Sequence, residues 1–279
     1  MPLAIITGAN TGLGFETARG LLKLGYRVVI TSRDPERAHV AVAKLQSEYP
    51  QHEVSALPLD LADTQSVDSF AGSFTNEFGK WDILILNAGA KVLANYQQTD
   101  AGIEYHFGVN AVGHFSLTAG LVAHRAAIAR VVSVSSIVAR FAPKTLGPSG
   151  SPTLYSAGAS YSASKLANYL FAIELQKRFG SHAFSSLAAH PGFARAQPYG
   201  PRSTRFFESF LAQSAAKGAL PIIEAAANPS LAGGSYRAPK ILELWGEPTE
   251  AIVPKVTNSQ TLKQNWEILE SLSGKTLAL

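Results

Sequence analysis

Short apolar runs alternate along this chain with longer stretches in which apolar residues recur every three or four positions. The runs at 3–6, 27–31, 54–59, 83–86, 131–134 and 186–189 are aliphatic and β-branched with little polar alternation, the pattern of strands buried on both faces. The stretches at 15–24, 35–48, 64–78 and 161–179 carry helical spacing. Strand and helix therefore alternate, which predicts a parallel sheet with right-handed crossovers: an α/β, Rossmann-type, doubly wound three-layer sandwich in a single domain over 1–279. Ligands of such sheets bind at the carboxyl ends of the strands.

The rest of the chain is less regular. The uncharged stretch 107–124 contains Asn110, His114 and His124, and predicts a buried helix. A Pro- and Gly-bearing segment at 141–156 predicts a long loop, and 141–160 and 193–217 are the expected substrate-side segments. Beyond His190 the pattern predicts a helix near 203–217, a last strand at 241–244 and a terminal helix near 259–272.

Composition narrows the functions. The 279 residues are 46 % apolar and 16 % charged, enough for a sizeable core and no case for disorder. The formal charge is +4 and the basic residues are scattered, which argues against nucleic acid as a partner. The chain has no cysteine, so disulfides and thiolate chemistry are excluded, and a cytoplasmic setting is expected. No stretch reaches the ~18 apolar residues of a membrane span.

The chemistry begins at Thr7-Gly8-Ala9-Asn10-Thr11-Gly12-Leu13-Gly14, directly after the first strand and at the start of the first helix. A dinucleotide pyrophosphate sits against a helix N-terminus, where N–H groups and the dipole favour anions, and a Cβ would hold it away. Gly8, Gly12 and Gly14 are expected to give that clearance, with Asn10, Thr11 and Leu13 beside them in the turn. At the end of the second strand stand Thr31-Ser32-Arg33-Asp34. An acid there would hold ribose hydroxyls, whereas Arg33 can fork onto a 2′-phosphate, which favours NADP(H) over NAD(H). Arg37 adds positive field, and Asp34 is the competing residue.

Tyr161 and Lys165 stand four apart on a helical pattern and so share one face. A phenol is a poor base at neutral pH, and a nearby ammonium lowers its pKa, so Tyr161 is the candidate acid/base and Lys165 its tuner. A second match to this spacing, Tyr236 to Lys240, has Pro239 between, which would interrupt a helix. Ser135 and Ser136 close the fifth strand, and either hydroxyl could donate to a carbonyl oxygen gaining charge. His190 ends a strand, no metal-binding histidine spacing occurs, and a packed core histidine is the expectation.

With these residues placed, the chain resembles the short-chain dehydrogenase/reductase family over about its first 195 residues. The glycine turn, Asp60-Leu61, Asn87-Ala88-Gly89, Asn110, Ser135-Ser136, Tyr161-Ser162-Ala163-Ser164-Lys165 and His190-Pro191-Gly192 appear in the family's order. Lys165-Leu166-Ala167-Asn168-Tyr169-Leu170-Phe171, with the insertion before it, is similar to the retinol-dehydrogenase-like branch. The resemblance implies Ser136 rather than Ser135 in catalysis and a water chain from Asn110 toward Lys165. It also implies Asp60 and Leu61 about adenine, Asn87, Ala88 and Gly89 along its ribose, and Pro191 and Gly192 beside the nicotinamide. Two departures stand out. The register gives Ala194-Arg195-Ala196 where the family has a threonine for the nicotinamide amide, and Thr11 where NADP-preferring relatives often place a basic residue.

The expected activity is hydride transfer between nicotinamide and a lipophilic ketone, aldehyde or secondary alcohol, in a cleft lined by Phe141, Pro143, Leu146, Phe206, Phe207, Phe210 and Leu211. Two other functions fit the fold. A dinucleotide-sensing regulator would lack the Tyr/Lys pair, which is present here. An epimerase or lyase would use the same four side chains for transient oxidation without net cofactor consumption. A homo-oligomer is compatible with the chain, which carries no readable oligomerisation motif.

Overall fold

The computed structural model describes residues 1–90, 92–181, 183–193, 212–255 and 257–278. Its elements are β1 (Leu3–Ile6), α1 (Gly12–Lys23), β2 (Arg27–Ser32), α2 (Pro35–Glu48), β3 (Val54–Pro58), α3 (Thr64–Phe78) and β4 (Trp81–Leu86), then α4 (Tyr105–Phe107), a π turn (Gly108–Val112) and α5 (Gly113–Leu121). They continue through β5 (Arg125–Val134), α6 (Ala157–Phe179), β6 (Phe184–Ala189), α7 (Ala215–Ala227), β7 (Tyr236–Ile241), β8 (Trp245–Glu250) and α8 (Ser259–Ser273). The sheet order is β3-β2-β1-β4-β5-β6-β7-β8, parallel as far as β7, with β8 antiparallel at the edge. This is the expected doubly wound sandwich.

The local causes are ordinary. Every residue of β1 is buried, as strands covered on both faces require. Asp34 caps α2 by accepting from the Arg37 N–H at 3.1 Å, with Pro35 at the first helical position. Asp63 caps α3, whose Val67, Phe70 and Phe74 share one buried stripe. One face of the sheet is covered by α3, α5, α6 and α8, where Trp266 packs against Phe115 and Phe171. The other is covered by α1, α2 and α7. A Cβ on Gly20 would lie 2.3 Å from the Ile223 side chain, so α1 and α7 meet where there is no side chain to spare. β1 and β4 are parallel neighbours, but the strands are added outward in opposite directions from them, and this switch in strand order opens the crevice at their carboxyl ends.

Four expectations need correction. The last strand is not 241–244: β7 ends at Ile241, and Leu242, Glu243 and Leu244 turn the chain into β8. The apolar Ile-Leu-Glu-Leu run imitates a strand, while the real strands carry Pro239 and Pro248 at the sheet edge, a placement edges tolerate. Tyr236 and Lys240 thus belong to a strand and never share a helical face. β5 starts at Arg125, six residues before the apolar run. α6 starts at Ala157, four residues before the helical pattern and directly after the expected loop at 141–156, which holds the single turn Pro152–Leu154 and follows another at Ile137–Phe141. The stretch 107–124 is buried helix as expected, but with the π turn around Asn110. Among the described residues no helix is long and apolar enough to cross a membrane. The helical pattern at 203–217 falls outside the described residues up to 211.

Candidate active site

The glycine turn supplies backbone shapes that side chains resist. Gly8 and Gly12 hold φ of 63° and 61°, in the left-handed region. A Cβ on Gly8 would also stand 2.9 Å from the Ala88 Cβ. Gly14 lines the same cavity and has a packing role besides. A Cβ there would meet Asn87 Nδ2 and the Gly8 carbonyl at 2.6 Å, so its clearance is filled by the protein itself and lets α1 close on the strand ends. Thr11 caps α1 without a side-chain bond, leaving the helix N-terminus to the cavity.

Thr7, which the sequence did not single out, holds the turn to β4. Its Oγ accepts from the Asn87 and Ala88 N–H groups at 2.8 and 2.9 Å. Asn87 Nδ2 returns a bond to the Thr7 carbonyl at 2.8 Å. With its lone pairs used, the Thr7 hydroxyl donates to His114 Nε2 at 2.9 Å, and His114 Nδ1–H donates to the Asn110 carbonyl at 2.9 Å. Burial pushes His114 down to about 3, keeping it neutral as this chain of bonds requires.

At the β2 end, Asp34 is taken up as the α2 cap and by an ion pair to Arg37 at 3.0 Å. The Ser32 hydroxyl accepts from the Asp34 N–H at 3.1 Å. Arg33 lines the cavity and donates from Nη1 to the Tyr105 hydroxyl at 3.0 Å. Asp60 and Leu61 line the same wall, with Asp60 Oδ1 accepting from the Ala62 N–H at 2.9 Å.

The opposite wall is built by α6. Tyr161 and Lys165 both open on the cavity, and the Lys165 ammonium lies 5.9 Å from the centre of the Tyr161 ring. Lys165 is 5 % exposed and donates to the Val134 carbonyl at 3.1 Å. Burial pushes its pKa down to about 8. Ser135 and Ser136 part company: Ser135 is buried and its hydroxyl donates to the Lys165 carbonyl at 2.7 Å. Ser136 faces the cavity and caps the turn Ile137–Phe141 through a long 3.5 Å bond from the Val138 N–H. Asn110 is fully buried behind Lys165 rather than in the cavity lining. Its Oδ1 accepts from the Ala90 N–H at 2.7 Å and its Nδ2 donates to Ser164 Oγ at 2.9 Å. A Cβ on Gly89 would stand 3.3 Å from that Oδ1 and 3.5 Å from Lys165 Nζ, so Gly89 permits this close approach.

A second support escaped the sequence. His106 is buried with its ring 6.0 Å from that of Tyr161, edge to face, and stacks on Tyr155. Its Nε2 accepts from the Leu93 N–H at 3.1 Å, so Nδ1–H donates to Glu104 at 2.8 Å. The pair pins the wall behind Tyr161. A YHF run resembles core, and only the fold shows what it supports.

The cavity measures about 1130 Å³ and continues past Pro191 and Gly192 to an apolar wall of Val92, Leu93, Val138, Phe193 and Leu244. Of the cleft expected from sequence, the three described residues, Phe141, Pro143 and Leu146, do not line this cavity. Phe141 is 77 % exposed and Pro143 also faces solvent, while Leu146 packs beside Ala139 and lines a separate surface groove with α8. Phe206, Phe207, Phe210, Leu211 and the departure Ala194-Arg195-Ala196 lie outside the described residues.

A glycine turn with left-handed Gly8 and Gly12, a helix N-terminus and a Tyr/Lys face on one cavity define a dinucleotide-dependent oxidoreductase site. A short chain dehydrogenase profile matches residues 2–202, and the chain belongs to the short-chain dehydrogenase/reductase family. Human retinol dehydrogenase 12 is 35 % identical over 281 residues, covering 98 % of this chain and 86 % of its own length. Mouse retinol dehydrogenase 14 is 33 % identical, covering 97 % and 85 %. These relatives place the chain in the retinol-dehydrogenase-like branch, as an NAD(P)-dependent oxidoreductase. The crystal structure of an uncharacterized protein from Mycobacterium paratuberculosis superposes with a TM-score of 0.81 at 31 % identity, covering 100 % of this chain and 96 % of that one. L-sorbose reductase from Gluconobacter frateurii, solved with NADPH and L-sorbose, shares the fold at a TM-score of 0.67 and 20 % identity over 84 % of this chain and 93 % of that one.

Proposed function

We propose that the protein is an NADP(H)-preferring oxidoreductase that interconverts a lipophilic alcohol and its aldehyde or ketone. The observation that carries this reading is the opening of Tyr161, Lys165, Ser136 and the glycine turn onto one cavity with an apolar far wall. The cradle fits a dinucleotide: Gly8 and Gly12 take the turn that brings backbone N–H groups to a pyrophosphate, and Asp60, Leu61, Asn87, Ala88 and Gly89 lie along the adenosine side. The 2′-phosphate preference is supported by Asp34, which is spent on capping α2, and by Arg33 and Arg37, which face the cavity.

Bound NADP(H) supplies the nicotinamide that donates or accepts the hydride. Tyr161 holds the proton at Oη, giving it to the substrate oxygen in reduction and taking it in oxidation. The Lys165 ammonium favours the phenolate, so Tyr161 works nearer neutral pH than a free phenol would. Ser136 donates to the substrate oxygen as charge develops there. Asn110, its amide fixed by the Ala90 N–H and by Ser164 Oγ, anchors water toward Lys165 from behind. Val92, Leu93, Val138, Phe193 and Leu244 exclude water and receive an apolar chain.

The test follows NADPH absorbance with apolar aldehydes and ketones, and NADP⁺ reduction with apolar alcohols, retinol included because the related dehydrogenases are named for it. Tyr161→Phe is expected to lower kcat by about a hundredfold or more with NADPH binding retained. Equal rates in the two proteins would remove Tyr161 from the chemistry. Turnover without net NADPH change would favour internal oxidation and re-reduction, as in an epimerase.

A further inference from the structure

Beyond the Tyr161 constellation, one carboxylate ties together the ends of three neighbouring strands. β7 turns into β8 through Leu242 and Glu243, at φ of 51° and 56°, and the Leu244 N–H closes the turn on the Ile241 carbonyl at 2.9 Å. Two consecutive left-handed residues are normally Gly, Asn or Asp, because a longer side chain is strained there. Nothing about Leu242 explains the choice, since its side chain is 76 % exposed. Glu243 does, being 6 % exposed with both carboxylate oxygens engaged.

Oε2 accepts from His190 Nε2 at 2.8 Å and forms a close ion pair with Arg140 Nη2, while Oε1 accepts from the Ile252 N–H at 2.8 Å. The His190 proton is placed by its other nitrogen: Nδ1 accepts from the Gly192 N–H at 3.2 Å, so Nε2 carries the hydrogen given to Glu243. Burial works against the Glu243 carboxylate, but the bonds from His190, Ile252 and Arg140 outweigh it and hold its pKa at about 2. The turn also bears on the next loop directly. The Phe193 N–H donates to the Leu244 carbonyl at 3.1 Å, and a Cβ on Gly192, at φ 69°, would stand 2.5 Å from that oxygen. Arg140 lies in the turn Ile137–Phe141, which Ser136 caps.

We propose that Glu243 is a positioning residue whose carboxylate locks the Ser136-capped turn to the His190–Phe193 loop, fixing the serine against the wall beside the nicotinamide. The left-handed turn is kept because it delivers that carboxylate to both. The inference rests on the roles proposed above for Ser136 and for Pro191 and Gly192.

Amide hydrogen exchange on the full chain tests the strut without any turnover. Glu243→Gln is expected to speed exchange about tenfold in both 136–141 and 190–193, as the loss of a charge-assisted bond implies, with β1, β4 and α3 unchanged. Arg140→Gln, less buried and milder, is expected to speed exchange in 136–141 alone. Binding gives a second readout. Glu243→Gln is expected to weaken NADPH about tenfold while adenosine 2′,5′-bisphosphate, which lacks nicotinamide, binds as before. Unchanged exchange in either loop, a rise spread equally over the sheet, or equal loss of both ligands overturns the proposal. Should Glu243→Gln not fold, unchanged exchange in 136–141 of Arg140→Gln overturns it alone. A wild-type protein that neither binds NADPH nor turns over would sink the functional reading, and exchange would still decide the strut.

Discussion

The two ends of the cavity are built by different means. On the β1–β2 side the surface is main chain: Gly8 and Gly12 in left-handed conformations, the start of α1, and Thr7 gathering the Asn87 and Ala88 N–H groups. On the β5–β7 side the surface is set by buried polar side chains: Lys165 on the Val134 carbonyl, Asn110 on Ala90 and Ser164, and Glu243 between His190 and Arg140. The first kind of site holds a ligand's charge with groups every residue owns, so it depends on which positions lack a Cβ. The second holds reacting atoms with particular functional groups, each desolvated and each needing a partner.

Four substitutions sharpen this contrast. On the side-chain end, Lys165→Met is expected to lower kcat by about a hundredfold or more, because the phenol loses the cation that favours its ionised form. The same variant carries a stability signature. Lys165 titrates near 8 in the folded protein against 10.5 unfolded, so between those values the unfolded chain binds more protons and stability rises with pH. The rise amounts to about 3 kcal/mol in urea unfolding of the wild type, and it should vanish in Lys165→Met. A wild-type curve that falls over this window would contradict a buried ammonium.

On the main-chain end, Gly8→Val combines a positive φ with the approach to Ala88. It is expected to cost about 1–3 kcal/mol of stability and to weaken dinucleotide binding, whereas activity per bound cofactor changes little. Arg33→Ala is expected to raise the NADPH Kd by about ten- to a hundredfold and leave NADH unaffected, as lost charged hydrogen bonds imply. Equal loss of both cofactors would show that Arg33 does not read the 2′-phosphate. The smallest effect belongs to Asp34→Ala. Removing this cap should lower stability by about 1 kcal/mol and leave the NADPH/NADH ratio alone. A marked shift in that ratio would mean that Asp34 reads the ribose as well.

How far the sequence reaches follows the same division. The alternation of apolar runs and helical spacing was sufficient for the parallel sandwich, because both periodicities are properties of neighbours in the chain. Glycines in the first turn and the Tyr161/Lys165 spacing were readable for the same reason. The turn at Leu242 and Glu243 was not: its local pattern is that of a strand, and nothing near it announces a left-handed pair. That Gly14 also makes room for Asn87, brought over from β4, was not readable either. Phe141 and Leu146 were apolar residues in a plausible place, and only packing turned one to solvent and the other to a groove beside α8.

What the chain alone determined is its class of fold, the dinucleotide turn and the residue types able to move a proton. Which of two cavity-lining serines has its hydroxyl tied to the Lys165 carbonyl, why Asn110 and His106 are buried, and what Glu243 holds were decided only by tertiary structure. The physical reason lies in separation: Glu243 meets His190 53 residues away and Arg140 103 residues away. A buried polar group is stable only with its partner in place, and that partner is fixed by the folded backbone rather than by any local run of residues.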